Sequence, residues 1–333
     1  MPPLRRAFGL FLALCWIGSA RPADGQALGP AETWEIDTRA CEQVAGASPW
    51  PCLKVSRLDE PRRTLVRDDP SALLARMAGR PVVLLIHGNG YEDEESLTEA
   101  LEVRDELAGA GGLAEGSLFV IMDWPSERTL SSLVRDLDEK SRRSRIAAYH
   151  LARFLQAAPP GSTICLMGQS DGGRVALTTM HLLSGAELKG FLREPEVQLD
   201  AGRPDLRFRC VVLEPAAAHN WLAPDHRLGH AMDHCEALLN LWNSGDLVLS
   251  VYLYGTYTGA RHAMGYLGLT PHDLERIGSP AARIEQINHH SLSGRKHTLF
   301  PRALEYPCVG PRVAAYTSFA DVSAGLGRSL KTR

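Results

Sequence analysis

The chain alternates short, nearly unbroken apolar runs with longer stretches in which apolar residues recur at helical spacing. That alternation predicts a mostly parallel α/β sheet, because a strand covered by helices on both faces has no polar side to present. PVVLLIHG (Pro81 to Gly88) is the clearest such run, bounded by proline and glycine. SLFVIMDW (Ser117 to Trp124), TICLMGQS (Thr163 to Ser170) and RCVVLEP (Arg209 to Pro215) repeat the pattern. ALLNLWN (Ala237 to Asn243) and ARIEQIN (Ala282 to Asn288) follow it. With two weaker runs, Thr33 to Arg39 and Cys52 to Leu58, the count is eight strands. Helices are predicted over Glu95 to Leu107, Ser131 to Leu155 and Gly172 to Leu183. No repeat, low-complexity tract or Gly/Ser linker marks a second domain, so residues 28–333 read as one.

The first residues follow a different pattern. Arg5 and Arg6 precede an uncharged run, Ala7 to Ala20, that ends on Gly18, Ser19 and Ala20. A basic start, a short apolar stretch and small residues make a signal peptide within residues 1–27, cleaved somewhere between 20 and 27. A secreted or periplasmic location follows as an expectation. No other run is apolar enough to span a bilayer, so no stable membrane insertion is expected after cleavage.

Removing the leader changes two counts. Of seven cysteines, Cys15 leaves with it, and the six that remain can pair in an exported chain. Cys41 with Cys52 is the favoured pair, close in sequence and outside the main core strands. Lys plus Arg is 36 against 39 for Asp plus Glu, a net −3, which becomes −5 without Arg5 and Arg6. No basic excess is present, and nucleic acid is set aside as a partner.

Gly168-Gln169-Ser170-Asp171-Gly172 has the form Gly-x-Ser-x-Gly, with a strand leading in and a helix leading out. A serine on so sharp a turn is forced into a strained backbone, and flanking glycines are needed where a Cβ would collide. The turn lifts the hydroxyl from the sheet edge and aims the N–H of Asp171 at developing negative charge. His87-Gly88-Asn89-Gly90 follows the first strong strand, where Asn89 can give a second backbone N–H to an oxyanion hole.

These motifs resemble the α/β-hydrolase superfamily, over essentially the whole chain from Thr33 onward. The resemblance implies an eight-stranded, mostly parallel sheet with helices on both faces, a nucleophile elbow at Ser170 and no large cap domain. More narrowly, WPSER (Trp124 to Arg128), HNWL (His219 to Leu222) and GYLGL (Gly265 to Leu269) resemble exported hydrolases of planctomycete bacteria. The superfamily's acid follows the strand two after the elbow strand, which implies Asp246. Glu214, at the end of the next strand, is its rival.

A serine hydroxyl needs a base, and the base needs a carboxylate to fix its tautomer. The base is sought in NHHSLSGRKHTLF, which offers His289, His290 and His297. His297 follows a Ser-Gly-Arg-Lys turn, and the narrower resemblance also implies it; His290 is the alternative. A competing group, His226, His230 and His234, recurs every four residues, as metal ligands on a helix can, but Pro224 and Gly229 interrupt the helix. Trp221, Leu222 and Met232 in the same segment are candidates for the substrate pocket.

The sequence therefore predicts a serine hydrolase of small acyl esters, lipase- or carboxylesterase-like, with catalytic Ser170, Asp246 and His297. Asn89 and Asp171 form the oxyanion hole, and no metal or cofactor is called for. The alternatives are a serine peptidase or amidase using the same groups, and a catalytically silent binding protein on the same fold.

Overall fold

Ten strands form one sheet in the computed structural model, which describes residues 31–41, 52–91, 93–127, 133–188, 199, 202–251 and 262–331. The strands are β1 (Glu32–Asp37), β2 (Lys54–Asp59), β3 (Thr64–Asp68), β4 (Pro81–Ile86), β5 (Leu118–Asp123), β6 (Thr163–Gln169), β7 (Arg207–Leu213), β8 (Cys235–Trp242), β9 (Ile284–Asn288) and β10 (Ser329–Lys331). Their order is β10-β9-β8-β7-β6-β4-β5-β1-β2-β3. All neighbours from β10 to β1 pair in parallel, and only β2 is reversed, pairing antiparallel with β1 and with the edge strand β3. The leader and its cleavage site lie outside the described residues. Among those residues, no helix is long and apolar enough to cross a membrane.

The sequence pattern identified eight of these strands and missed β3 and β10. Both are edge strands. β3 reads TLVRD with no buried position, and β10 is three residues long. Neither carries the apolar run that a doubly covered strand needs.

The continuous apolar strands are explained by two cores, one on each face. Val82, Leu84 and Ile86 of β4 enter one core, while Val83 and Leu85 enter the other. Leu118, Val120 and Met122 of β5 are parted from Phe119 and Ile121 in the same way. Helices α1 (Pro70–Met77), α3 (Leu133–Gln156) and α4 (Asp171–Leu183) cover the first face. The second is covered by α2 (Asp93–Gly109), α9 (Phe300–Leu304) and α10 (Gly310–Thr317). Four shorter helices, α5 (Leu247–Ser250), α6 (Met264–Leu267), α7 (Pro271–Ile277) and α8 (His290–Ser293), sit in the connections after β8 and β9. A disulfide joins Cys41 to Cys52, and ties the end of β1 to the start of β2.

Chain order reverses around β4, which has β5 on one side and β6 on the other. The turns after β4 and β6 therefore diverge at a switch point, where open α/β sheets leave a crevice at the carboxyl ends of their strands.

Candidate active site

Ser170 stands at that crevice, between the last residue of β6 and the first of α4, with φ +52° and ψ −117°. This is a conformation that an L residue adopts only when its surroundings impose it. They do so by close approach. A Cβ on Gly168 would lie 2.4 Å from Gly172 O, and one on Gly172 would lie 2.3 Å from Ile86 O. Gly173 is similarly pressed against Pro215. The glycines of the motif thus let β6, α4 and the end of β4 meet at one point.

The turn after β4 packs against the same serine. A Cβ on Gly88 would sit 3.5 Å from Ser170 Cβ, so Asn89 is brought to the edge of the elbow. His87 beneath it is buried, and its Nε2 donates to Asp123 Oδ1 at 2.9 Å. Asp123 also takes Arg39 Nε at 2.6 Å. Burial works against the Asp123 carboxylate, but His87 and Arg39 outweigh it and hold its proton affinity below the usual range.

The fold is that of the α/β-hydrolases. Residues 67–205 match a family described as alpha/beta hydrolase of unknown function (DUF900). That stretch runs from the end of β3 to just before β7, so it includes the His87 turn and the Ser170 elbow but neither Asp246 nor His297. Among solved structures, esterase B of Lactobacillus Rhamnosis is similar over 89% of this chain and 89% of its own, at 13% identity and a TM-score of 0.40. A bifunctional GH43-CE protein of Bacteroides eggerthii is similar over 85% of this chain and 38% of its own, at 10% identity and a TM-score of 0.38. No curated protein matches the chain.

In this α/β-hydrolase fold the turns after β7, β8 and β9 supply the remaining groups. Asp246 follows β8 and is fully buried as the N-cap of α5, accepting N–H bonds from Val248 at 2.8 Å and Leu249 at 3.1 Å. His297 lies in the connection after β9, and its Nδ1 donates to Asp246 Oδ2 at 2.6 Å. The same Nδ1 is 2.8 Å from Glu214 Oε2. Both carboxylates weighed from sequence therefore reach one nitrogen, a convergence that sequence spacing had presented as a choice. With Nδ1 engaged, Nε2 is the nitrogen left to take a proton.

The electrostatics follow from this crowding. Burial raises the proton affinity of Glu214, and the neighbouring Asp246 carboxylate raises it further, against the pull of His297. Burial would raise Asp246 as well, but its bond to His297, the adjoining Glu214 carboxyl and the N–H groups at the α5 N-terminus hold it below the usual carboxylate range. Burial disfavours a charged His297, yet Asp246 and Glu214 outweigh that and raise its proton affinity.

The alternative base, His290, is exposed and donates Nδ1–H to Gly294 O at 3.0 Å, and so braces its own loop. His289 is fully buried, and burial lowers its pKa to about 4. Ser170, Asp171, Asn89 and His297 line one cleft of about 1180 Å³, where Gln169, Tyr306 and Lys296 join them. One wall is acidic, with Glu95, Glu99 and Glu102 of α2; another is apolar, with Val248, Leu292 and Leu299.

Three residues expected at the pocket are elsewhere. Trp221, Leu222 and Met232 are buried in the core on the α4 face, because the turns after β7 fold back onto the sheet. His226, His230 and His234 sit in turns and bends instead of on one helix, and His230 pairs with Asp233 at 2.9 Å. Among the described residues, two groups bring three possible ligand atoms within 4.8 Å. One is Cys41, Cys52 and His150, whose cysteines form the disulfide, and the other is Glu214, Asp246 and His297. The histidine row belongs to neither.

Proposed function

We propose that the protein is a serine hydrolase that cleaves a small acyl ester through Ser170, His297 and Asp246. The observation that carries this reading is the meeting of a strained, glycine-enclosed serine and a carboxylate-held histidine in one cleft. Ser170 Oγ attacks the acyl carbonyl while His297 Nε2 takes its proton, and Asp246 fixes the ring and stabilises the imidazolium. The N–H groups of Asp171 and Asn89 receive the oxyanion. His297 then protonates the leaving alcohol, and water cleaves the acyl-enzyme by the same steps.

The apolar wall of Val248, Leu292 and Leu299 favours an acyl chain. The leader pattern and the Cys41–Cys52 disulfide support work outside the cytoplasm, where disulfides persist.

A fluorophosphonate probe tests the reading without knowledge of the substrate. Wild type is expected to take one label, and Ser170→Ala none. If the folded wild type stays unlabelled, or the alanine variant labels equally, Ser170 is not the nucleophile. A panel of neutral acyl esters and matching amides then separates esterase from amidase.

A further inference from the structure

Glu214 is the part of the site that a single serine, histidine and acid do not require. It follows β7 with φ +46°, a left-handed backbone that a glutamate seldom adopts. Its N–H donates to Leu241 O at 2.7 Å, and Gly265 presses so close that a Cβ there would be 2.2 Å from Glu214 C. The backbone is thus held where the side chain enters the space between His297 and His289.

Oε2 accepts Thr298 N–H at 2.9 Å and faces His297 Nδ1. Oε1 lies 3.4 Å from His289 Nε2, and both residues are fully buried. Among the described residues neither of those two atoms has a hydrogen-bond partner.

Ser293 Oγ lies 2.6 Å from His289 Nδ1 and 3.2 Å from Tyr306 Oη; with the Ser293 proton directed at Tyr306, His289 Nδ1–H is the donor to Ser293 Oγ. Nε2 of His289 then carries a lone pair facing Glu214 Oε1. Two buried acceptors left against one another are costly, and a single proton on Oε1 satisfies both.

We propose that Glu214 works as a neutral carboxylic acid, a positioning residue that donates to His289 and braces His297 without adding a second negative charge beside it. The consequence for catalysis rests on the serine-hydrolase reading; the location of the proton does not. The groups facing Glu214 are Asp246 from the turn after β8 and His289 and His297 from the connection after β9, with His290 near His289. Two carboxylates this close in a buried site cannot both ionise cheaply, and Asp246, with two backbone N–H donors, is the better anion. The opposed shifts of Glu214, upward, and Asp246, downward, agree with that division.

The balance through acylation is simple. Before attack the cluster carries Glu214 neutral, Asp246 anionic and His297 neutral. When His297 Nε2 takes the Ser170 proton, imidazolium and Asp246 form one ion pair, and Glu214 keeps its proton. An ionised Glu214 would instead hold His297 as imidazolium before attack, with no capacity left for the serine proton.

Infrared spectroscopy of the full chain reads the proton directly. Wild type at neutral pH is expected to show an un-ionised carboxyl C=O band that shifts with ¹³C-labelled glutamate and vanishes in Glu214→Gln. The isotope shift needs no variant to fold. Glu214→Gln is expected to slow fluorophosphonate labelling about tenfold, against roughly 10⁴-fold for Asp246→Asn. Absence of the band, a band that does not shift with ¹³C-labelled glutamate, or an equal collapse of labelling in both variants overturns the proposal. A wild type that shows the band but takes no label overturns the serine reading alone.

Discussion

Two of the histidine–carboxylate couples among the described residues stand near the same strand ends, and they differ in their third member. At His87 and Asp123 it is a cation, Arg39, which meets the carboxylate at 2.6 Å. At His297 and Asp246 it is a second acid, Glu214, at 2.8 Å from the ring nitrogen. A guanidinium satisfies the carboxylate and closes the network; its work is to hold the turn that carries Asn89. An added acid leaves the imidazole as the only group able to take up a proton. The first arrangement is stable because it is finished, and the second can react because one proton site remains open.

Separate substitutions should break the two couples in different ways. Asp246→Asn removes the partner that sets the His297 tautomer, and labelling is expected to fall by roughly 10⁴-fold. That is about 5 kcal/mol of transition-state stabilisation. Asp123→Asn removes the carboxylate that holds buried His87 and one of the two carboxylates that Arg39 meets, and is expected to cost about 3–5 kcal/mol of folding stability. Labelling per folded molecule should change far less than in Asp246→Asn. Denaturant unfolding beside labelling rates checks both. If Asp123→Asn loses activity as deeply while staying folded, the first couple is also part of the chemistry.

Arg39→Gln sharpens the contrast with a smaller effect. It leaves Asp123 with His87 alone, and should cost about 1.5–3 kcal/mol near neutral pH. The Asp123 pKa is depressed in the folded state, so its contribution is present above the unfolded value of 3.8 and lost as pH falls through the folded one. Without Arg39 that loss begins at higher pH. Acid unfolding curves of the two proteins should separate accordingly; coincident curves would mean Arg39 contributes nothing to the Asp123 shift.

Much of this was legible in sequence because it is local. The elbow announces itself as five consecutive residues after an apolar run, and its glycines are explained by contacts that any such turn must make. The six strands buried on both faces, β4 to β9, were legible for a related reason, since both faces of PVVLLI must be apolar. The pocket walls were not legible. Trp221 and Met232 have the character of pocket residues, yet the turns after β7 carry them into the core. The choice between Asp246 and Glu214 was illegible in a deeper way. Each sits at the end of its own strand, and only the distance between β7 and β8 brings both to one nitrogen. The role of His289 was equally hidden, because burial against Glu214 arises from three separate connections.

The smallest effect, and the one that most directly sets the couples apart, is how each responds to pH. His297 has a raised proton affinity in the folded state. Its contribution to stability is therefore full below the unfolded value of 6.5 and is lost as pH rises through the folded value. Its capacity as a base runs the other way, because only the neutral ring accepts the Ser170 proton. Labelling should rise with pH along a limb whose midpoint lies above 6.5, while the stabilisation due to His297 declines over the same range. The Asp123 carboxylate does not change there, its own loss lying on the acid side of 3.8. Melting temperatures of wild type and His297→Ala should thus converge as pH rises, while those of wild type and Arg39→Gln stay apart. A labelling limb centred at or below 6.5, with no such convergence, would mean that the proton affinity of His297 is not raised in the folded state.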